Sequence, residues 1–189
     1  MKAVLKRILR GVFSDYQLNR VYTLDLSAGQ CAEPQASGED VRIGRLESSG
    51  PLSASDDQRM RDHAWYLDGD AEAYGVFEGE QLTCVTCFWP AGHDKLPSRF
   101  GDLGAGCAVM VDLLTTPQAR GKGYAALVTR YAQWDLGQRG YTTLWTWVWH
   151  SNAPSIRVFE KAGWRYAYFL AEFKLSGMKD YLRFRRDRS

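Results

Sequence analysis

Ten consecutive residues, Ala105–Leu114, are small or apolar except for one carboxylate, Asp112. A run of that kind reads as a strand buried on both faces. It leads through a turn containing Gly121-Lys-Gly123 into a stretch, Gly123–Gln138, where Leu127, Val128, Tyr131, Ala132 and Leu136 recur at helical spacing. Tyr141–Trp149 then alternates as a strand, with Trp145, Trp147 and Trp149 on one face. Strand, helix and strand in that order commit this part of the chain to an α/β fold.

The rest of the pattern from Val41 onward agrees. Val41–Glu47 alternates as a strand, and Asp56 is placed to cap a helix running to about Leu67. Ala71–Phe77 and Gln81–Trp89 flank Glu78-Gly79-Glu80, a hairpin signal. Pro90 to Gly104 reads as a loop. Pro154–Lys161 reads as a short helix that Gly163 can end, and Trp164–Leu175 and Tyr181–Arg185 close as strands. With 189 residues the chain has room for one domain with a sizeable core and not for two.

The first 40 residues look different. Val4, Leu5, Ile8, Leu9, Val12 and Phe13 form one face of a helix over residues 2–13, and Lys2, Lys6, Arg7 and Arg10 lie away from it. Such a helix is a candidate contact for an anionic membrane surface or a partner, and equally for its own domain. Residues 14–26 are ambiguous between helix and strand, and residues 27–40 are a loop of small and polar residues. The expectation is an extension, 1–40, ahead of a domain, 41–189.

Charge and cysteine content narrow the function classes. The net charge is +2, so no general basic excess points to nucleic acid. Residues 1–20 and 174–189 each carry +4, which leaves −6 for the body and suits a cationic substrate there. Cys84 and Cys87 have C-x-x-C spacing but lie on a strand, where residues three apart face opposite ways. The remaining cysteines, Cys31 and Cys107, and His63, His93 and His150 supply no further ligand pattern, so buried free thiols in a reducing cytoplasm are expected and no metal. Lys6, Arg7 and Arg10 interrupt any secretory apolar run.

Chemistry concentrates in Asp112–Ala125. A buried strand ends at Thr115 and a helix begins near Gly121, so unpaired amides and the positive end of a helix dipole meet at one point, a phosphate site. Gly121 and Gly123 let the main chain approach a pyrophosphate, and Arg120 and Lys122 add positive charge. The Walker spacing and the third dinucleotide glycine are both absent. Further on stands Asn152-Ala-Pro-Ser-Ile-Arg-Val-Phe-Glu-Lys-Ala-Gly-Trp164.

Together, Gln118-Ala-Arg-Gly121-Lys-Gly123 and the Asn152–Trp164 stretch resemble the GNAT superfamily of acyl-CoA-dependent N-acyltransferases, well over Val109–Trp164 and in layout over 41–175. The resemblance implies a mixed, mostly antiparallel sheet of six to seven strands whose central parallel pair splays apart, flanked by helices. It implies that backbone groups of Leu113, Leu114 and Thr115 pair with the pantetheine arm of acetyl-CoA. Gln118, Ala119, Arg120, Gly121, Lys122, Gly123 and Tyr124 would hold the pyrophosphate, Asn152 would bond the arm near the sulfur, and the Leu114 amide would face the thioester oxygen.

Transfer to an amine also needs a group for the amine's proton. Asp112, the lone charge in the buried run, is the first candidate, and His150, two residues before Asn152, the second. Many relatives carry a Tyr seven residues after the Asn as a donor to the leaving thiolate; here it is Phe159. Tyr166 and Tyr168 lie near in sequence, Glu78 and Glu80 read as solvated hairpin residues, the tryptophan stripe reads as sheet under a helix, and Trp89 reads as a pocket residue. The expected activity is acetyl transfer from acetyl-CoA to a primary amine of a small molecule such as an amino sugar or polyamine. Longer acyl transfer from CoA or a carrier protein, and a non-catalytic CoA-binding module, are the alternatives. A homodimer is compatible with all of them.

Overall fold

The computed structural model describes residues 13–27, 32–67 and 69–187. The predicted helix over 2–13 lies outside these except for Phe13. Eight strands form one sheet: β1 Phe13–Asp25, β2 Val41–Arg45, β3 Glu72–Glu78, β4 Gln81–Pro90, β5 Cys107–Thr115, β6 Thr143–Trp149, β7 Arg165–Leu175 and β8 Leu182–Asp187. Their order is β2-β3-β4-β5-β6-β1-β7-β8, and β5–β6 is the parallel pair. The sheet is thus one strand larger than expected, because β1 joins it.

That strand corrects the boundary at residue 40. β1 lies inside the sheet, antiparallel to β6 on one side and β7 on the other, with Val21 and Tyr22 fully buried. Val21 enters the core on one face and Tyr22 on the other, so β1 is apolar on both sides and its sequence shows no clear two-residue alternation. The register shift beside them falls on β7, where Ala167 is the extra residue.

Two helices cover one face, α3 Tyr124–Gln138 and α4 Ala153–Lys161; α1 Gly50–Ser53 and α2 Gln58–Asp62 lie near the other face. Leu136, Val128 and Ala132 of α3 meet Leu144, Phe88 and Cys84 of the sheet in the main core. Leu136 and Leu144 are fully buried, so truncating either to Ala costs about 2–5 kcal/mol. The helix expected from Asp56 to Leu67 is shorter and starts one residue later. Asp57 caps α2 by accepting from the Arg59 amide at 2.9 Å, His63 closes it, and Ala64–Leu67 forms a 3-10 turn.

On the second face, Leu52 and Met60 pack on Val85 and Cys87, while Phe100 from the 91–106 loop packs near Trp145 and Trp147. The tryptophan stripe therefore lies under a loop, not under a helix, and its last member, Trp149, is exposed beside Tyr16. Cys84 and Cys87 are free, buried thiols on opposite faces; burial pushes Cys84 up to about 12. Among the described residues no helix is long and apolar enough to cross a membrane.

Candidate functional site

The parallel pairing of β5 and β6 runs from Cys107–Met110 against Thr143–Thr146 and stops there. Its end has a local cause. Cys87 of β4 faces Asp112 and Phe88 faces Met110, so Val111 is an extra residue that bends β5 away. Thr146 ties the fork by donating to the Met110 carbonyl at 3.2 Å. Beyond it β6 follows β1, β5 follows β4, and a cleft of about 270 Å³ opens between them. Its lining includes Asn19, Asp112, Trp147, Asn152 and Phe159.

The open edge of β5 exposes alternate backbone groups. Thr116 donates to the Thr83 carbonyl at 2.9 Å, and the ladder alternates from there. Leu114 is consequently turned toward Val85 on β4, whereas Leu113 and Thr115 direct their amides and carbonyls to the open edge. This corrects the expected role of Leu114: its amide serves the β4 ladder, and the outward amides belong to its neighbours.

A larger groove of about 660 Å³ runs from Leu113–Thr115 past the N-terminus of α3 to α4. Gly123, the N-cap of α3, has φ 83° and makes no side-chain cap, so the first-turn amides have no partner within the helix. Gly121 also has φ 83°, and a Cβ built at either glycine meets no atom within 4 Å. The backbone is therefore open to a ligand at both. Arg120 lines this groove as the sequence suggests, and Arg157 and Lys161 line it from α4. An i, i+4 pair of cations on one helix was the signal for the last two, and sequence reasoning missed it. The residues present fit a coenzyme diphosphate: open amides, a helix dipole and three cations.

Other residues depart from expectation. Lys122 does not line the groove; its Nζ lies 2.6 Å from Glu78 Oε1. The Tyr124 hydroxyl donates to the same oxygen. Glu78, expected to be solvated, thus clasps the glycine loop, and the hydrogen bonds from Lys122 and Tyr124 hold its carboxyl below the ordinary range. Gln118 is exposed and Ala119 buried in the turn Pro117–Ala119; only Ala119 lines the groove. Asn152 caps α4 by accepting from the Ser155 amide at 3.4 Å, and it lines the cleft.

Asp112 stands at the fork, its side chain 12% exposed, and its Oδ2 lies 2.8 Å from His63 Nδ1. The hydrogen bond to Asp112 raises the imidazole above its ordinary value, against the opposing effect of burial. No spacing in the sequence announced this pair, since His63 lies 49 residues upstream. His150 does not join it. Its amide donates to the Leu18 carbonyl, its ring meets Trp149 and Phe169, and it lines neither cavity.

Phe159 is buried against Tyr22 and Trp164, so no hydroxyl stands there. Tyr166 packs on Tyr22, and Tyr168 lies under Arg185 on the second face; neither lines the cleft. Ser155 lines both cavities and is the hydroxyl at their junction. Trp89 is not a pocket wall: it is buried, donates to the Tyr66 carbonyl at 2.9 Å and stacks on His93.

Comparison with known proteins places this geometry. Residues 41–164 match the model of the Acetyltransferase (GNAT) family. A mycothiol acetyltransferase from Saccharomonospora viridis is 30% identical over 100 residues, 53% of this chain and 31% of that protein. The aligned stretch thus spans under a third of that relative's length. A GNAT-family acetyltransferase structure from Novosphingobium aromaticivorans superimposes with a TM-score of 0.58 at 17% identity, over 86% of this chain and 66% of that one. A tandem GNAT protein from the clavulanic acid biosynthesis pathway gives 0.60 at 15% identity, over 95% and 59%.

Proposed function

Since the chain belongs to the GNAT acetyltransferase family, we propose that it moves an acetyl group from acetyl-CoA to a primary amine of a small molecule. The observation that carries this reading is the meeting of the two cavities: groove and cleft share Leu113 and Ser155, so a thioester arriving along the groove ends beside Asp112. The first-turn amides of α3 with Arg120, Arg157 and Lys161 hold the diphosphate. The outward groups of Leu113 and Thr115 take the pantetheine amides as an added strand. The Leu113 amide is the donor closest in sequence to the fork for the developing oxyanion.

Asp112 attracts the acceptor's ammonium and takes a proton from it, making the amine nucleophilic. The Ser155 hydroxyl is placed at the junction to hydrogen-bond the leaving thiolate, where Phe159 offers nothing. A cleft of about 270 Å³ that carries Asn19, Asp112 and Asn152 suits a short acyl group and a polar acceptor better than a long apolar chain. This activity calls for no metal and no nucleic acid, and a cytoplasmic setting supplies acetyl-CoA.

The test is a panel of amino sugars, polyamines and other primary amines with acetyl-CoA, read by thiol release and by mass of the acceptor. Asp112→Asn keeps the shape and removes the charge. It should hold acetyl-CoA affinity within a few-fold and lower turnover by roughly 10²-fold or more, partly recovered at higher pH. Turnover at the parent rate in a folded Asp112→Asn protein removes Asp112 from the reaction.

A further inference from the structure

We propose that His63 is the exit through which the acceptor's proton leaves Asp112 for solvent. The inference rests on the acetyl-transfer reading above and adds a residue that reading does not require. Asp112 is poorly placed to return its proton to water by itself, because its side chain is 12% exposed at the bottom of the fork. The imidazole 2.8 Å away is 33% exposed, so the pair spans from the cleft to the surface. The two groups come from separate elements, β5 and the end of α2, so their approach is tertiary.

The ring is also held in place. His63 closes α2 with its own amide on the Met60 carbonyl, and the Tyr66 ring packs edge-on against the imidazole at 5.4 Å. Its other titratable and charged neighbours are few. Asp62 on α2 favours the protonated ring, Arg59 on α2 opposes it, and Asp112 dominates both. Tyr66 and the buried Cys87 thiol, the latter facing Asp112 from β4, are both pushed up and stay neutral.

The proton count closes. An ammonium acceptor loses two protons as its nitrogen forms the bond to the acetyl carbon and the carbon–sulfur bond breaks. One ends on the departing thiolate. The other goes to Asp112, and the Asp112–His63 pair returns to its starting state when the imidazole gives one proton to water. An imidazole near neutrality is suited to both halves of that exchange.

His63→Asn separates this role from a merely structural one. An Asn amide can still donate to Asp112 from nearly the Nδ1 position, but it does not titrate. With a folded protein and unchanged acetyl-CoA affinity by calorimetry, kcat should fall roughly 10–10²-fold. The rise of kcat with pH that tracks imidazole deprotonation in the parent should vanish. In His63→Ala, added imidazole should restore part of the rate. His63→Asn with the parent's kcat and pH profile, or His63→Ala without rescue, overturns the relay. A parent that binds CoA but transfers to no amine refutes the functional reading instead.

Discussion

Replacing Gly123 by Glu attacks the coenzyme groove where the chain has least to lose. The site sits at φ 83°, and the new Cβ meets no atom within 4 Å, so the protein keeps its packing. The left-handed backbone costs a non-glycine residue about 1–2 kcal/mol. For a chain of this size that lowers Tm by roughly 2–8 °C, at about 2–4 °C per kcal/mol. Binding suffers more. Losing one charge-assisted hydrogen bond to a phosphate costs about 1.5–3 kcal/mol. A carboxylate about 4 Å from a phosphate charge adds about 1–4 kcal/mol between bulk-water and near-surface dielectric values. At about 1.4 kcal/mol per decade even the lower ends of the two ranges give a roughly 60-fold weaker Kd. Calorimetry with CoA measures it, with Gly123→Ala as the control for backbone strain. Undiminished affinity in a folded Gly123→Glu protein refutes the placement of the diphosphate at this loop.

Three further outcomes follow from individual contacts. Glu78→Gln should release Lys122 toward the groove and tighten acetyl-CoA binding by a few-fold at low salt, an effect that high salt should erase; equal affinity at low salt counts against the clasp. The raised His63 pKa stabilises the parent relative to Asp112→Asn fully below about 6.5, the ordinary imidazole value, and that advantage should fade as pH climbs through the raised value. A pH-independent difference in urea midpoints contradicts the pairing. Removing residues 2–12 should leave CoA affinity intact, because the groove draws on residues from 113 onward, and should lower any binding to anionic vesicles; loss of CoA binding in a soluble truncated protein assigns the segment to the site.

The strand–turn–helix of β5 and α3 was legible because its signals are local: an apolar run, two glycines and a helical repeat within a few turns of chain. The fork was legible only through the resemblance, since the extra residue at Val111 leaves no mark in an already apolar strand. β1 stayed ambiguous because it is buried on both faces, Val21 on one and Tyr22 on the other, and because its partners, β6 and β7, lie more than 100 residues away. The same distance hides side-chain pairings. His63 reaches Asp112 and Glu78 reaches Lys122 only through tertiary folding, and neither spacing forms a pattern. Leu114 was misassigned for a finer reason. Which amide faces an open edge depends on ladder parity, which the Thr116–Thr83 hydrogen bond fixes and a residue string does not.

The most direct measurement follows a single purified sample through binding and transfer: CoA affinity by calorimetry, then free thiol and acetylated amine quantified together across the acceptor panel. The account predicts saturable CoA binding and, with an accepted amine, one thiol released for each acetyl group transferred, a turnover that Asp112→Asn depresses without weakening CoA binding. CoA binding with no acetyl transfer to any amine, or transfer that Asp112→Asn leaves untouched, contradicts it.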